Sequence, residues 1–164
     1  MKAWIEYMTP GKVHQMMAKS DGKWTVQTST WMDPSAPPMK TTGTVTNKMI
    51  LGGRYQESVF KGEMFGKPFE GRGVTGYDNR KGVFKSTWMD NMGTGIMTME
   101  GKWDEATKTI NFSGTAVDPM TGAESPVREV YVYKDANHEH MEMYQTINGQ
   151  EVKMIEIDFT RAGK

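Results

Sequence analysis

Glycine, asparagine and aspartate interrupt this chain every 8 to 15 residues after Gly22, and the stretches between them are rich in β-branched and aromatic residues. Segments this short suit β-strands joined by tight turns. No amphipathic period of about 10 to 15 residues separates them, so the crossover helices of a parallel α/β sheet have no place to form. Ten strands are expected: Lys23–Met32, Lys40–Ile50, Arg54–Lys61, Pro68–Tyr77, Gly82–Asp90, Gly95–Trp103, Lys108–Val117, Val127–Lys134, His138–Thr146 and Gln150–Thr160. Tight links such as Asp78-Asn79-Arg80-Lys81 and Asp135-Ala136-Asn137 imply antiparallel neighbours. Asn148-Gly149 is the strongest hairpin signal, because a two-residue turn demands positive φ at both positions.

One segment reads as helix, Thr9–Lys19. Thr9 is placed to cap it, Pro10 suits the first turn, and Val13, Met16 and Met17 recur at helical spacing before Ser20-Asp21-Gly22 ends it. Asp33–Met39, with three prolines, reads as a loop between the first two strands. The expected class is all-β: an antiparallel up-and-down barrel of about ten strands (23–160) behind one short N-terminal helix (9–19), in a single domain over 1–164. Closure removes exposed sheet edges; a two-sheet sandwich is the alternative.

Twenty lysines and arginines balance twenty aspartates and glutamates. A net charge of zero argues against nucleic acid and against an anionic membrane surface as partner. The chain has no cysteine, which excludes thiol nucleophiles, iron–sulfur clusters and disulfides. No apolar run approaches the roughly 18 to 20 residues needed to span a bilayer, and Met1–Met8 lacks the apolar stretch of a signal peptide. A cytoplasmic location is the expectation, with export of a longer precursor left open. Monomer and homodimer are equally compatible with the sequence.

Gly71-Arg72-Gly73-Val74-Thr75-Gly76 matches G-x-G-x-x-G, but Tyr77-Asp78-Asn79 follows it as a turn instead of a helix. A dinucleotide site needs that helix N-terminus for its pyrophosphate, so the glycines read as a bend or bulge in a tightly curved strand. His138, His140 and Glu142 share one strand face, a spacing able to present two imidazoles and a carboxylate to a metal. The plainer reading is a wet outer face, with Met141 and Met143 inward, and no metal is expected. Arg128 is read either as a bidentate partner for a ligand carboxylate or as half of an ion pair with a neighbouring strand. No G-x-S-x-G motif is present, so covalent hydrolysis is unsupported. No catalytic residue is assigned, and no cofactor is expected.

The least ordinary feature is sixteen methionines alongside seventeen aromatics. Methionine is flexible and polarizable and lines adaptable apolar surfaces. A barrel lined in this way can hold a small apolar or amphipathic molecule, or be packed solid by its own side chains. Alternation sends Trp88 inward, with Asp90 at the rim. It sends Met141 and Met143 inward, and the Tyr131 face, which carries Glu129, is assigned to the pocket. Arg54 and Tyr55 follow a Gly-Gly turn and are placed at the rim, with Glu57 beside Tyr55 inside. The expected pocket is therefore Arg54, Tyr55, Glu57, Trp88, Asp90, Glu129, Tyr131, Met141 and Met143. Two other functions stay open: a packed barrel that contacts a protein partner, and an enzyme using Glu57, Glu129 or Asp90 for acid–base chemistry.

Gly22-Lys23-Trp24 after a short helix resembles the Gly-x-Trp opening of calycin barrels, the group of lipocalins and fatty-acid-binding proteins. More specific are Leu51-Gly52-Gly53-Arg54-Tyr55, Pro68-Phe69-Glu70-Gly71, Gly76-Tyr77-Asp78-Asn79, Ser86-Thr87-Trp88-Met89-Asp90 with Gly93-Thr94-Gly95, Asp118-Pro119-Met120-Thr121-Gly122, and Arg128-Glu129-Val130-Tyr131. In this order they resemble the bacterial domain-of-unknown-function 1579 family from His14 to Thr160. The resemblance implies a lipocalin-like antiparallel barrel and no particular activity. Haem-binding barrels of the nitrobindin kind carry a histidine ligand on a late strand. The last strand here, Gln150–Thr160, has none, and haem is discounted on that ground.

Overall fold

A computed structural model describes residues 1–163. Two helices come first, α1 (Lys2–Met8) and α2 (Lys12–Ala18). Ten strands follow: β1 (Gly22–Thr30), β2 (Met39–Ile50), β3 (Tyr55–Met64), β4 (Lys67–Asp78), β5 (Val83–Asp90), β6 (Met97–Asp104), β7 (Thr109–Val117), β8 (Glu124–Asp135), β9 (His138–Ile147) and β10 (Gln150–Arg161). They close in sequence order into one barrel, with β1 pairing both β2 and β10 antiparallel. All ten strands lie where the turn signals place them, to within a few residues.

The helical region differs from the expectation. Thr9 precedes Pro10, whose ring disfavours a helical conformation there, and Thr9 is extended at φ −92°, ψ 123°. The single helix expected over Thr9–Lys19 therefore starts only at Lys12, and the Gly11 N–H donates to His14 Nδ1 at 3.0 Å. A separate helix fills residues 2–8. It buries none of its side chains and so carries no core-facing stripe to read in the sequence.

α2 plugs one end of the barrel. Helix ends leave carbonyls without partners, and here the strands supply donors for them. Gln56 Nε2 donates to Met17 O at 2.7 Å. Trp24 Nε1 and Asn47 Nδ2 both donate to Ser20 O, at 2.9 and 3.1 Å. Arg161 donates to Lys19 O and Asp21 O, each at 2.7 Å, while its guanidinium lies 4.3 Å above the Trp24 ring. Gly22 has φ +119°, a conformation that side-chain-bearing residues rarely adopt, and it turns the chain from this plug into β1.

The interior holds two apolar clusters. Trp24, Val26, Val45, Met141, Ile157 and Phe159 form one, and Met17, Phe84, Met99, Ile110 and Phe112 form the other, under the plug. Tyr131 packs against both. The G-x-G-x-x-G stretch lies within β4 and serves packing. A Cβ on Gly71 would lie 2.3 Å from Trp88 Cζ2, and one on Gly76 2.7 Å from Tyr55 Cδ1, so both glycines make room for rings. Phe65-Gly66 and Asn148-Gly149 both have positive φ throughout, as two-residue hairpin turns require.

Candidate functional site

The barrel encloses a cavity of about 500 Å³. It runs from Met17, on the plug, to the opposite end, where Met32, Phe65 and Met92 are exposed on the loops around the mouth. Small-molecule sites typically occupy roughly 300 to 1,000 Å³. The space exists because several inward positions carry small residues, among them Gly73, Thr75 and Ser86.

Trp88, Asp90, Glu129, Tyr131, Met141 and Met143 all line this cavity. Asp90 stands at the mouth, where Oδ2 accepts from Trp88 Nε1 at 2.8 Å and Oδ1 from the Met92 N–H at 2.9 Å. Both of its oxygens are therefore engaged by protein. The Tyr131 hydroxyl donates to Glu139, which also accepts the Ser20 hydroxyl. Glu139 is 3% exposed, beneath the plug. Burial pushes its pKa up, against the opposing pull of the Ser20 and Tyr131 hydroxyls and the Arg161 charge.

Glu129 differs from these. Its register partners are Phe112 on β7 and Met143 on β9, so the carboxyl stands between two apolar side chains midway along the wall. Among the described residues no side chain or backbone N–H donates to it. Loss of water is the whole cause that raises its pKa to about 7. The half-buried carboxylate faces the cavity itself.

Three expected pocket residues lie elsewhere. β3 begins at Tyr55, and alternation then turns Gln56, Ser58 and Phe60 inward. Tyr55 and Glu57 do share a face, as expected, but it is the outer one. Gln56 is drawn in because the plug's carbonyl needs its amide. Tyr55 is 41% exposed, its ring laid on Gly76. Arg54 donates to Met8 O at 2.8 Å and to Leu51 O at 3.2 Å, tying the end of α1 to the β2–β3 turn. Arg54 and Tyr55 border a second cavity of about 480 Å³, which lies outside the barrel between the N-terminal segment and β3–β5. His14 also borders it; burial holds the imidazole's pKa down, and Nδ1 accepts the Gly11 N–H.

The outer face carries the remaining candidates. Arg128 forms a bidentate pair with Glu151, with bonds of 3.0 and 2.6 Å, and stacks 4.4 Å from the Tyr144 ring. The ion-pair reading of Arg128 is the one the structure bears, and no guanidinium enters the barrel there. His138 binds Asp135 at 2.9 Å. His140 sits instead with Asp158 (2.7 Å), Glu142 (3.2 Å) and Glu156, so the grouping with metal-like geometry is His140, Glu156 and Asp158. Lys153 already donates to Glu142 at 3.0 Å and Glu156 at 2.8 Å. The Tyr144 hydroxyl and that ammonium hold the Glu142 pKa down at about 2. A bulge between Lys153 and Ile155 lets Lys153 join this outer cluster while Ile155, of the same parity, faces the cavity.

A closed ten-stranded antiparallel barrel with an internal cavity is the class of protein that these features define. A family model described as "Protein of unknown function (DUF1579)" matches residues 9–161, and the chain belongs to that family. Only α1 and the last residues fall outside the match. Among solved structures the chain is similar to the crystal structure of Rv2717c from M. tuberculosis. The TM-score is 0.69 at 14% identity, covering 94% of this chain and 100% of that one. At that identity the likeness concerns the fold alone. No curated protein matches the chain. No helix among the described residues is long and apolar enough to cross a membrane.

Proposed function

We propose that this barrel binds a small apolar or amphipathic molecule in its interior. The cavity of about 500 Å³ carries the reading, because a barrel packed solid by its own side chains has no such space. Its wall supports the same conclusion. Most of its surface is apolar, with eight methionines and eight aromatic residues in the lining. Met32, Phe65 and Met92 extend that apolar surface outward at the mouth, where a hydrophobic molecule would first meet the protein.

The enzyme reading loses two of its three carboxylates on geometry. Glu57 faces outward, and both Asp90 oxygens accept hydrogen bonds from protein. Glu129 is left, and the cavity lining among the described residues holds no histidine to share a proton with it.

Native mass spectrometry of the protein as purified from cells tests the reading directly. A retained small-molecule mass, or uptake of a hydrophobic fluorescent dye that Ser86→Trp abolishes, is the expected result. Neither adduct nor dye uptake in a folded barrel would leave the apolar mouth as a protein-contact surface and remove the binding reading.

A further inference from the structure

The interior is acidic where a fatty-acid site would be basic. The cavity lining contains Glu63, Asp90 and Glu129 but one cation, Lys61. Lys61 has the opposite parity to Phe60 and Gly62 on β3, and its side chain is exposed outside the barrel. Glu63 likewise points outward at the rim, and Asp90 is engaged by Trp88 and Met92. Among the described residues, Glu129 is therefore the one carboxyl facing the interior without a protein partner. A half-buried acid without a protein donor holds its charge at a cost that a donor entering the cavity would relieve.

We infer that the ligand of this barrel is an apolar molecule bearing a protonated amine, with the ammonium on Glu129 and the hydrocarbon along the methionine-rich wall. The inference rests on the binding reading above and adds the chemical class of the ligand. An ammonium supplies the charge and the N–H donors that Glu129 lacks. Phe112 lies directly opposite Glu129 on one side, and the Tyr131 ring follows two residues along the same face. Aromatic faces attract a desolvated cation by about 0.5 to 2 kcal/mol. A fatty carboxylate would instead meet a like charge and no interior cation. Because burial pushes the Glu129 carboxyl up to about 7, an amine must displace its proton to bind below that pH.

The test is a calorimetric titration of the purified, delipidated protein with decylamine, decanol and decanoate at pH 5 and pH 8, below their micellar concentrations. At pH 8 the amine should bind roughly tenfold to hundredfold more tightly than the alcohol, the range of a charge-assisted hydrogen bond, and decanoate most weakly. The amine's affinity should fall by more than about tenfold at pH 5, with proton release visible as a dependence on buffer ionisation enthalpy. Glu129→Gln keeps the shape and should bind amine and alcohol alike, with the pH dependence gone. Alcohol binding with no amine advantage, or an amine advantage that survives Glu129→Gln, overturns this inference and leaves the binding reading standing. Failure of all three compounds to bind the folded protein overturns both. The wild-type pH series decides the matter even if the variant folds poorly.

Discussion

Gly71→Ala measures how tightly the Trp88 side of the cavity wall is built. Gly71 has an ordinary β conformation, so the substitution introduces no backbone strain, and its whole effect comes from one methyl group. That methyl would lie 2.3 Å from Trp88 Cζ2 and 2.4 Å from Cη2, against a comfortable carbon–carbon separation of about 3.5 to 4.0 Å. The indole must retreat by more than about 1 Å. Two contacts resist this: the 2.8 Å bond from Nε1 to Asp90 and the edge-to-face Phe60 ring at 5.2 Å. Overpacking of this kind costs about 1 to 3 kcal/mol. Replacing a strand glycine by alanine returns about 0.5 to 1 kcal/mol of backbone entropy. The net expectation is a loss of about 1 to 2 kcal/mol, or roughly 2 to 8 °C in Tm for a chain of this size. Urea unfolding followed by tryptophan fluorescence reads it. Gly95→Ala is the control, because nothing lies within 4 Å of its Cβ position and its φ is not positive. A Gly71→Ala midpoint equal to or above that control would show that the indole is not held as described.

Glu129→Gln should change the pH dependence of stability. The folded carboxyl titrates at about 7 and the unfolded one near 4.5, so its contribution is fully present below 4.5 and is lost as pH rises through 7. About 2.5 pK units correspond to ~3 kcal/mol at most. The variant should therefore be the more stable protein at pH 8 and lose less stability than wild type between pH 5 and pH 8; parallel urea midpoints for the two proteins across that range would refute this. Ser20→Ala removes one of two hydroxyl donors to the buried Glu139 and should cost about 1 to 3 kcal/mol in chemical denaturation, whereas a neutral outcome would mean that water replaces the hydroxyl. The outer His140 cluster should keep no stoichiometric zinc or nickel through dialysis, since Lys153 already bridges Glu142 and Glu156. Elemental analysis showing metal that His140→Ala removes would contradict it.

The barrel was legible because its signals are local. A turn of Asn-Gly, or a run such as Val83–Asp90, specifies strand and link without knowledge of distant residues. The inward faces of β5 and β9 also followed from alternation, since Phe84 with Trp88 and Met141 with Met143 make one face apolar; on β8 alternation is undecided between Val130 with Val132 and Tyr131 with Tyr133, and the polar tips of the tyrosines favour their face. β3 failed the same test for a physical reason. Its inner residues near the plug, Gln56 and Ser58, are polar because they serve a helix end and Asn47, and its outer face carries Tyr55. The pattern of a strand that caps a helix is inverted relative to one that only packs. Glu139 was within reach of alternation, since it shares the Met141 and Met143 face. What alternation lacked was the plug: Ser20, 119 residues earlier, supplies one of the two hydroxyls that make a carboxyl at that position tolerable.

The two inward-facing glutamates differ in what the fold places around them. Glu139 and Glu129 are ten residues apart on neighbouring strands, both turned inward, and burial raises the pKa of both. At the closed end, Glu139 meets Ser20, Tyr131 and the field of Arg161, so its desolvation is offset by the fold. Midway along the wall, Glu129 meets Phe112, Met143 and open cavity. If Glu129 served only stability, glutamine, leucine or methionine would occupy the same wall at lower cost, because each avoids an uncompensated buried charge. A position that loses stability at neutral pH and faces the cavity is what the proposed ammonium ligand would explain. The same logic separates Glu129 from Asp90, whose indole and backbone donors keep it with the architecture of the mouth. On the proposed amine reading, specificity would rest on the acid that the barrel itself does not satisfy.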